Sequence, residues 1–215
     1  MNVTSTPRDG TSIDPVNDVG QPFGLPIGTV RGFFSLLICG FFWLIMLWPN
    51  QEGAPPIKAV LGHFFLLALV FMAFASHPAG GNVPGKMPFL PWLLRFLFIG
   101  GSIAVVVLAW YKDPGLLKTR LTPDSVEFAE WWMPYLITMA VGFGFGLFLR
   151  FTLGRQNQVF LTIRSWLSVL GMILLCVEYA LFLGYASAEN KPVDFFRYWQ
   201  AIELVIVSAY FGTRA

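Results

Sequence analysis

Apolar segments of roughly 17 to 27 residues alternate along this chain with short connections rich in Gly, Pro and charged residues. An α-helix rises about 1.5 Å per residue, so about 20 apolar residues cross a hydrocarbon layer about 30 Å thick. The pattern therefore predicts an all-α protein, a polytopic membrane bundle of about six transmembrane helices. The predicted spans are 30–48, 57–76, 89–110, 131–151, 160–186 and 196–212.

The sixth predicted span, 196–212, is the weakest by hydropathy. Arg197 and Glu203 interrupt an apolar run of only about 17 residues, and charged side chains at depth oppose the insertion of a helix into lipid. A bundle of five spans, with a re-entrant or interfacial final helix, is the alternative that the pattern leaves open.

The chain outside the spans divides into a tail and connections. Residues 1–24 are polar and contain no apolar run, which predicts a mobile tail ahead of a transmembrane domain at 25–215. The longest connection, 111–130, contains Thr122-Pro123-Asp124. A capping Thr, a proline in the first turn and an early acid are typical of a helix start. We therefore expect a short interfacial helix here, or an extension of the fourth span.

The composition supports the membrane class. Hydrophobic residues make up 56% of the chain, charged residues 12%, and the mean hydropathy is +0.65, whereas soluble domains average about 25% charged residues. The formal net charge of +2 comes from singly scattered basic residues, which do not form the patch that nucleic-acid binding requires. The expected partners are the lipid bilayer and either other membrane subunits or further copies of the chain, and no nucleic acid.

Lysine and arginine are unequally distributed between the two sides of a six-span bundle. Eight lie on the side of the termini and six on the other side, which favours a cytoplasmic location for both termini. We expect a multi-pass protein of the cell membrane, of the bacterial inner-membrane type. The eight are Arg8, Arg31, Lys86, Arg95, Arg150, Arg155, Arg164 and Arg214. The six are Lys58, Lys112, Lys118, Arg120, Lys191 and Arg197.

Three ionisable residues, His63, Glu178 and Glu203, are predicted to lie within the bilayer. Each glutamate lies about 12 residues from the turn that joins the fifth and sixth spans, so their carboxyl groups are expected at a similar depth. His63 lies a few residues inside the same outer boundary. We therefore expect all three side chains in one layer in the outer half of the bilayer.

This layer has two interpretations. As a functional site it binds a proton or a cation, and two neighbouring carboxylates share one proton. As a structural feature, each side chain hydrogen-bonds a neighbouring hydroxyl or carbonyl and fixes the packing of the helices. Residue spacing predicts depth, but it does not predict the direction in which each side chain faces.

A haem site is a further reading of His63, because imidazole is a common axial ligand of haem iron. A bis-histidine site needs a second deep histidine, and His77 lies beside a Gly- and Pro-rich loop on the opposite side. The sequence therefore predicts no metal site and does not specify a cofactor.

Small residues of the fourth span predict close packing between helices. Gly142 and Gly146 form a GxxxG pair, and Ala140 with Gly144 forms a second pair on another face. Small residues let two helix backbones approach each other. This arrangement suits a central helix of the bundle, or a contact between copies.

Four arginines lie near the predicted inner ends of spans: Arg31, Arg95, Arg150 and Arg164. Long basic side chains near a helix end extend toward the lipid headgroups. We therefore expect these four residues to contact headgroups.

Enzyme motifs are missing from the sequence: there is no H-E-x-x-H, no G-x-S-x-G and no P-loop. We therefore predict that the chain is not an enzyme. The favoured function is a non-catalytic membrane subunit or scaffold that packs against other membrane helices in a complex. The alternative is a small proton- or cation-coupled transporter or channel that uses the layer of Glu178, Glu203 and His63.

Overall fold

The computed structural model describes residues 29–49, 58–75, 89–123, 125–154, 157–185 and 193–214. Within these ranges the chain folds into seven α-helices and no strand, which confirms the all-α class. The predicted tail, 1–24, lies outside the described residues. The helices are α1 Thr29–Leu47, α2 Leu61–Ala75, α3 Phe89–Lys112, α4 Pro114–Leu121, α5 Ser125–Leu153, α6 Gln158–Tyr185 and α7 Val193–Arg214.

Three helices are long and apolar enough to cross a membrane by length and composition. Their candidate spans are Val30–Leu47 in α1, Ser125–Leu153 in α5 and Gln158–Gly184 in α6. Shorter apolar stretches, Leu61–Met72 and Phe96–Lys112, occupy most of α2 and the later part of α3. The helix boundaries therefore follow the predicted segments closely, while the number of membrane crossings stays a prediction.

The core of the bundle is built around α1 and α7. Within an apolar window of 18 residues, half of α1 is buried, against 17% of α5 and 22% of α6. Helix α7 is one continuous helix of 22 residues that packs along α5 and also contacts α6 and α2. A helix surrounded by protein needs no apolar surface for lipid, which explains why α7 is buried although its hydropathy is low. Its buried apolar side chains are Leu204, Val207, Ala209, Tyr210 and Phe211.

Helices α5 and α7 meet through their backbones. A Cβ atom added to Gly142 would overlap the carbonyl oxygen of Val205, and one added to Gly146 would overlap that of Ala209. Gly212 of α7 makes the reciprocal contact, because a Cβ there would overlap the carbonyl oxygen of Phe143. Close approach of the two helices therefore requires glycine on both sides of the contact.

The glycine-rich span was expected to be a central helix of the bundle or a contact between copies, and this choice stays a prediction. Helix α5 lies at the periphery, and its glycines serve one neighbour, α7. Ala140 and Gly144 are exposed, and a Cβ added to Gly144 would meet no atom of the described chain within 4 Å. The physical reason is geometric: the two pairs of small residues lie on different faces of α5, and only one face contacts α7.

The connection after α3 contains the predicted short helix, but its cap is not the predicted one. Asp113 caps α4 and accepts a hydrogen bond from the backbone N–H of Leu116 at 3.0 Å, with Pro114 in the first turn. Thr122 instead closes α4, because its hydroxyl donates to the carbonyl of Lys118 at 2.7 Å. Helix α5 begins at Ser125, so both expected features, a short helix and an extended fourth span, are present.

Arg120 of α4 binds the C-terminal end of α1, which is the predicted outer end. Its guanidinium group donates to the carbonyl oxygens of Met46 at 2.6 Å and Trp48 at 2.5 Å. These carbonyls belong to the last turn of α1 and its continuation, where helix carbonyls lack partners within the helix. Burial lowers the pKa of Arg120, an effect that the carboxylate of Asp113 opposes. The carbonyl of Arg120 also accepts from the backbone N–H of Ala59 at 2.9 Å, which joins α4 to the start of α2.

Candidate functional site

His63, Glu178 and Glu203, the three residues predicted to share a layer, meet inside the bundle. They come from α2, α6 and α7, and their exposed fractions are 1%, 2% and 0%. The Nδ1 atom of His63 lies 3.9 Å from Oε2 of Glu178. Glu203 neighbours Glu178 closely enough for the two carboxyl groups to interact. The fold therefore brings together the three side chains that the spacing along the chain placed in one layer. Their function stays a prediction.

The imidazole of His63 has a defined orientation. Its Nε2 atom lies 2.8 Å from the carbonyl oxygen of Ile38 in α1. A carbonyl oxygen only accepts hydrogen bonds, so Nε2 carries the hydrogen and Nδ1 of the neutral ring presents a lone pair. The ring of Phe41 lies beside it, with 4.7 Å between the ring centres. The lone pair of Nδ1 therefore lies on the side of the ring where Glu178 is found.

Gln200 and Tyr135 complete the polar cluster, and sequence reasoning did not identify them. The Nε2 group of Gln200 donates to Oε1 of Glu178 at 3.1 Å. The hydroxyl of Tyr135 donates to Oε1 of Gln200 at 3.4 Å. Gln200 lies three residues before Glu203, so both share one face of α7. That spacing was available in the sequence as a signal for Gln200, whereas Tyr135 comes from another helix and has no such signal.

Two glycines make room for the cluster. A Cβ atom added to Gly62 would lie 2.7 Å from Oε1 of Gln200. A Cβ atom added to Gly40 would lie 2.9 Å from the hydroxyl of Tyr179, which donates to the carbonyl of Leu37 at 2.8 Å. The hydrogen bonds of Gln200 and Tyr179 thus depend on close approach of helices at these two positions.

Several buried polar atoms of the cluster make no hydrogen bond within the described part of the chain. They are Nδ1 of His63, Oε2 of Glu178 and both carboxyl oxygens of Glu203. All of these atoms are acceptors when the imidazole is neutral and the carboxyl groups are ionised. A buried set of acceptors without donors is relieved by adding a hydrogen, so the arrangement suits the binding of a proton.

The surroundings of the cluster differ toward the two ends of the bundle. Toward the predicted outer end, the hydroxyl of Tyr135 also lies 3.3 Å from the carbonyl oxygen of Arg197. The Arg197 guanidinium stands 5.9 Å from the centre of the Trp131 ring. Toward the inner end, the next buried side chains are Leu175 of α6 with Leu204 and Val207 of α7. The described contacts are therefore polar on the outer side and apolar on the inner side.

Three of the four arginines predicted to contact headgroups, Arg31, Arg150 and Arg164, have described side chains and lie at the same end of the bundle, the predicted inner end. The guanidinium of Arg150 stands 5.9 Å from the ring centre of Phe151, and that of Arg164 stands 5.9 Å from that of Phe160. Arg31 lies in the first turn of α1 and is partly exposed. The side chain of Arg95 lies outside the described residues. Headgroup contact stays a prediction for all four.

The described residues offer no further candidate ligands for a metal ion or a haem. Among the described residues, no group of three or more His, Cys, Asp or Glu side chains is arranged to hold a metal ion. His77, the second histidine weighed for haem, lies outside the described residues. No family model, no curated protein and no solved structure matches this chain.

Proposed function

We propose that this chain is an integral membrane protein that takes up and releases a proton at the cluster of His63, Glu178 and Glu203 while it transports an ion or solute. The observation that carries the proposal is the cluster itself, in which two carboxyl groups and one imidazole from three helices are almost fully buried. Their acceptor atoms have no hydrogen-bond donor among the described residues. Ionisable groups within transmembrane segments are rare, and they mark substrate, ion and proton pathways.

The membrane part of the proposal rests on the outward faces of α5 and α6. Only 17% and 22% of an apolar window of 18 residues in these two helices is buried, so most of the surface of these windows faces away from the described protein. A contiguous apolar surface of this extent needs lipid or a protein partner to cover it. Its large exposed side chains include Trp132, Ile137, Phe145, Phe148, Phe151, Trp166, Leu170 and Ile173.

The chemistry of the cluster supports proton exchange within it. Two ionised carboxylates buried side by side repel each other and lose hydration, so one bound proton stabilises the pair. That proton has two principal positions: on a carboxyl oxygen, or on Nδ1 of His63 with Glu178 as the counter-ion at 3.9 Å. Gln200 fixes Glu178 through its amide donor, which holds the second oxygen, Oε2, toward His63.

A measurement of flux tests the proposal. The purified protein is reconstituted into liposomes that contain a pH-sensitive dye, and proton movement is followed under an imposed gradient. We expect flux from the wild type and its loss in E178Q and E203Q, because an amide keeps the shape of the side chain but cannot take up the proton. The matched control is E130Q, since Glu130 is an exposed carboxyl group near the start of α5 and its variant should retain flux.

A second candidate function, a non-catalytic membrane subunit that packs against other helices, is favoured by one specific observation. The face of α5 that carries Ala140 and Gly144 is exposed, and Gly144 has open space around it. Small residues on an exposed membrane helix allow another helix to approach closely. On this reading G144W disrupts a native complex of fixed stoichiometry, measured by native mass spectrometry, without unfolding the chain. A wild-type protein that gives no flux and purifies in such a complex would exclude the transport proposal.

A further inference from the structure

Tyr135, Gln200 and Glu178 form a chain of hydrogen bonds that crosses three helices in one direction. The hydroxyl of Tyr135 in α5 donates to Oε1 of Gln200 in α7 at 3.4 Å, and Nε2 of Gln200 donates to Oε1 of Glu178 in α6 at 3.1 Å. A carboxylate oxygen only accepts hydrogen bonds, so an ionised Glu178 requires the amide nitrogen of Gln200 to face it. The amide oxygen then needs a donor of its own, and Tyr135 supplies it.

The two carboxyl groups of the cluster have different surroundings. Glu178 accepts the hydrogen bond from Gln200, whereas neither oxygen of Glu203 accepts one from any described residue. Both side chains are almost fully buried, with exposed fractions of 2% and 0%. A hydrogen bond donated to a carboxylate stabilises its ionised form, while a buried carboxylate without a donor is costly. The surroundings therefore favour an ionised Glu178 and a neutral Glu203.

A neutral Glu203 needs an acceptor for its hydroxyl group, and Glu178 offers one. Gln200 and Glu203 lie three residues apart on one face of α7, where neighbouring Cβ atoms are about 5–6 Å apart. Because Gln200 contacts Glu178, the next side chain along this face lies beside the same carboxyl group. Oε2 of Glu178 is buried and accepts no hydrogen bond from the described residues, so it is available to Glu203.

We propose that Tyr135 and Gln200 are positioning residues of the proton site, which keep Glu178 ionised and so leave the exchangeable proton on Glu203. The inference rests on the proposed function, because it assigns roles within the same cluster. Gln200 acts directly, through its amide donor. Tyr135 acts through Gln200: without the tyrosine hydroxyl, the amide can turn over and present its oxygen to Glu178, and two facing oxygens favour a proton on that carboxyl group.

Other titratable side chains act on Glu178 or on its neighbours Tyr135 and Tyr179. None of them replaces the donor from Gln200, since Nδ1 of His63 is 3.9 Å from Oε2 of Glu178 and Tyr179 donates to the carbonyl of Leu37 in α1. These side chains are Cys39 of α1, His63 of α2, Glu127 and Tyr135 of α5, Cys176 and Tyr179 of α6, and Arg197 and Glu203 of α7.

Infrared difference spectroscopy across a pH titration tests the assignment, because a carboxylic acid has a carbonyl stretch that a carboxylate lacks. We expect a carboxylic-acid band near neutral pH in the wild type, which E203Q removes and E178Q retains. In Q200L and Y135F a second band should appear, and adding E178Q to either variant should remove it. The pH at which this second band is half-developed should lie about one unit higher in Q200L than in the wild type, and Y135F should move it in the same direction by less.

Y179F is the matched control. It also removes a buried hydroxyl that hydrogen-bonds a neighbouring helix, and it lies next to Glu178 in the chain, but it is not part of the hydrogen-bonded chain that ends at Glu178. A purely structural role for Tyr135 predicts that Y135F and Y179F lose stability alike and share the wild-type spectrum. That result in Y135F would overturn the proposal. Y135F also keeps the test decisive if Q200L does not fold, because it removes a single oxygen atom.

The spectra separate a failure of this inference from a failure of the proposed function. Proton flux in the wild type, together with a band that E178Q removes and E203Q retains, would overturn the assignment to Glu203 and leave transport standing. A wild type without flux whose band is lost only in E203Q would exclude transport and support the assignment. A wild type without any carboxylic-acid band near neutral pH would overturn the assignment outright.

Discussion

The two halves of α7 contact their neighbours in different ways. In the N-terminal half of α7, the predicted outer half, Gln200 and Glu203 contact α5 and α6 through side-chain polar groups. In the inner half, the carbonyl of Ala209 and the Cα of Gly212 lie directly against the backbone of α5 at Gly146. The contacts of the outer half therefore depend on polar side chains. Those of the inner half depend on glycine, which has no side chain to separate the two backbones.

Because of this difference, we expect the outer half of α7 to determine activity and the inner half to determine the stability of the fold. A side-chain contact can be replaced by an isosteric group with little change in shape, so its chemistry can be altered while the helices stay in place. A contact between backbones tolerates no added carbon, because neither side can move without displacing a helix. We therefore expect substitutions in the inner half to affect folding, and isosteric substitutions in the outer half to affect activity.

The largest expected effect is that of G146L. A side chain at Gly146 would overlap the carbonyl of Ala209 and force α5 away from α7, at a cost of about 3 kcal/mol or more. The variant should elute as aggregate in size-exclusion chromatography, or unfold well below the wild type. G144L is the matched control, since Gly144 is open, and its stability should stay within about 0.5 kcal/mol of wild type. Equal losses in both variants would contradict the contact described between the two helices.

A smaller effect is expected for Q200L in the outer half. Leucine removes the donor to Glu178 and the acceptor for Tyr135, and buried polar groups left without partners cost about 2 kcal/mol. Chemical unfolding in mixed detergent measures the change. Q158L is the control, because Gln158 is exposed at the start of α6. A Q200L protein as stable as wild type would mean that the hydrogen-bonded chain does not hold the outer half together.

The smallest effect is expected for Y179F. The substitution removes only the hydroxyl that donates to the carbonyl of Leu37 at 2.8 Å, so the loss should be about 1 kcal/mol. Y198F, at an exposed position, controls for the loss of a tyrosine hydroxyl and should be silent in the same unfolding measurement. Tyr179 lies in α6 and donates to α1, so Y179F measures a side-chain contact that does not involve α7. If Y179F costs as much as G146L, the contrast between side-chain contacts and backbone contacts would fail.

The sequence was sufficient to predict the helices and that the ionisable residues share one level along the bundle, because both follow from hydropathy and the rise per residue. Glu178 and Glu203 could be placed at one level from their equal distances to a turn. The participation of Tyr135 could not be predicted, because it depends on how α5 is rotated about its axis. For the same reason Gly142 and Gly144 looked equivalent in sequence, although only Gly142 faces α7.

Local signals were reliable for the presence of helices and less so for their ends. Thr122-Pro123-Asp124 fits a helix start, yet Thr122 closes α4. Two helices follow each other here with little connection between them, so the same residues carry both an end and a start. Asp113-Pro114, like Thr122-Pro123, pairs a capping residue with a proline. The sequence alone does not show which of the two pairs begins a helix.

The hydrogen bonds of Arg120 bear on the order in which the chain assembles. Met46 at the end of α1 receives its guanidinium partner from a residue 74 positions later. During synthesis α1, α2 and α3 are therefore complete before the outer end of α1 is capped. A fragment that stops short of α4 leaves the carbonyls of Met46 and Trp48 without this donor. The C-terminal end of α1 therefore completes its hydrogen bonds only once α4 has been added to the chain.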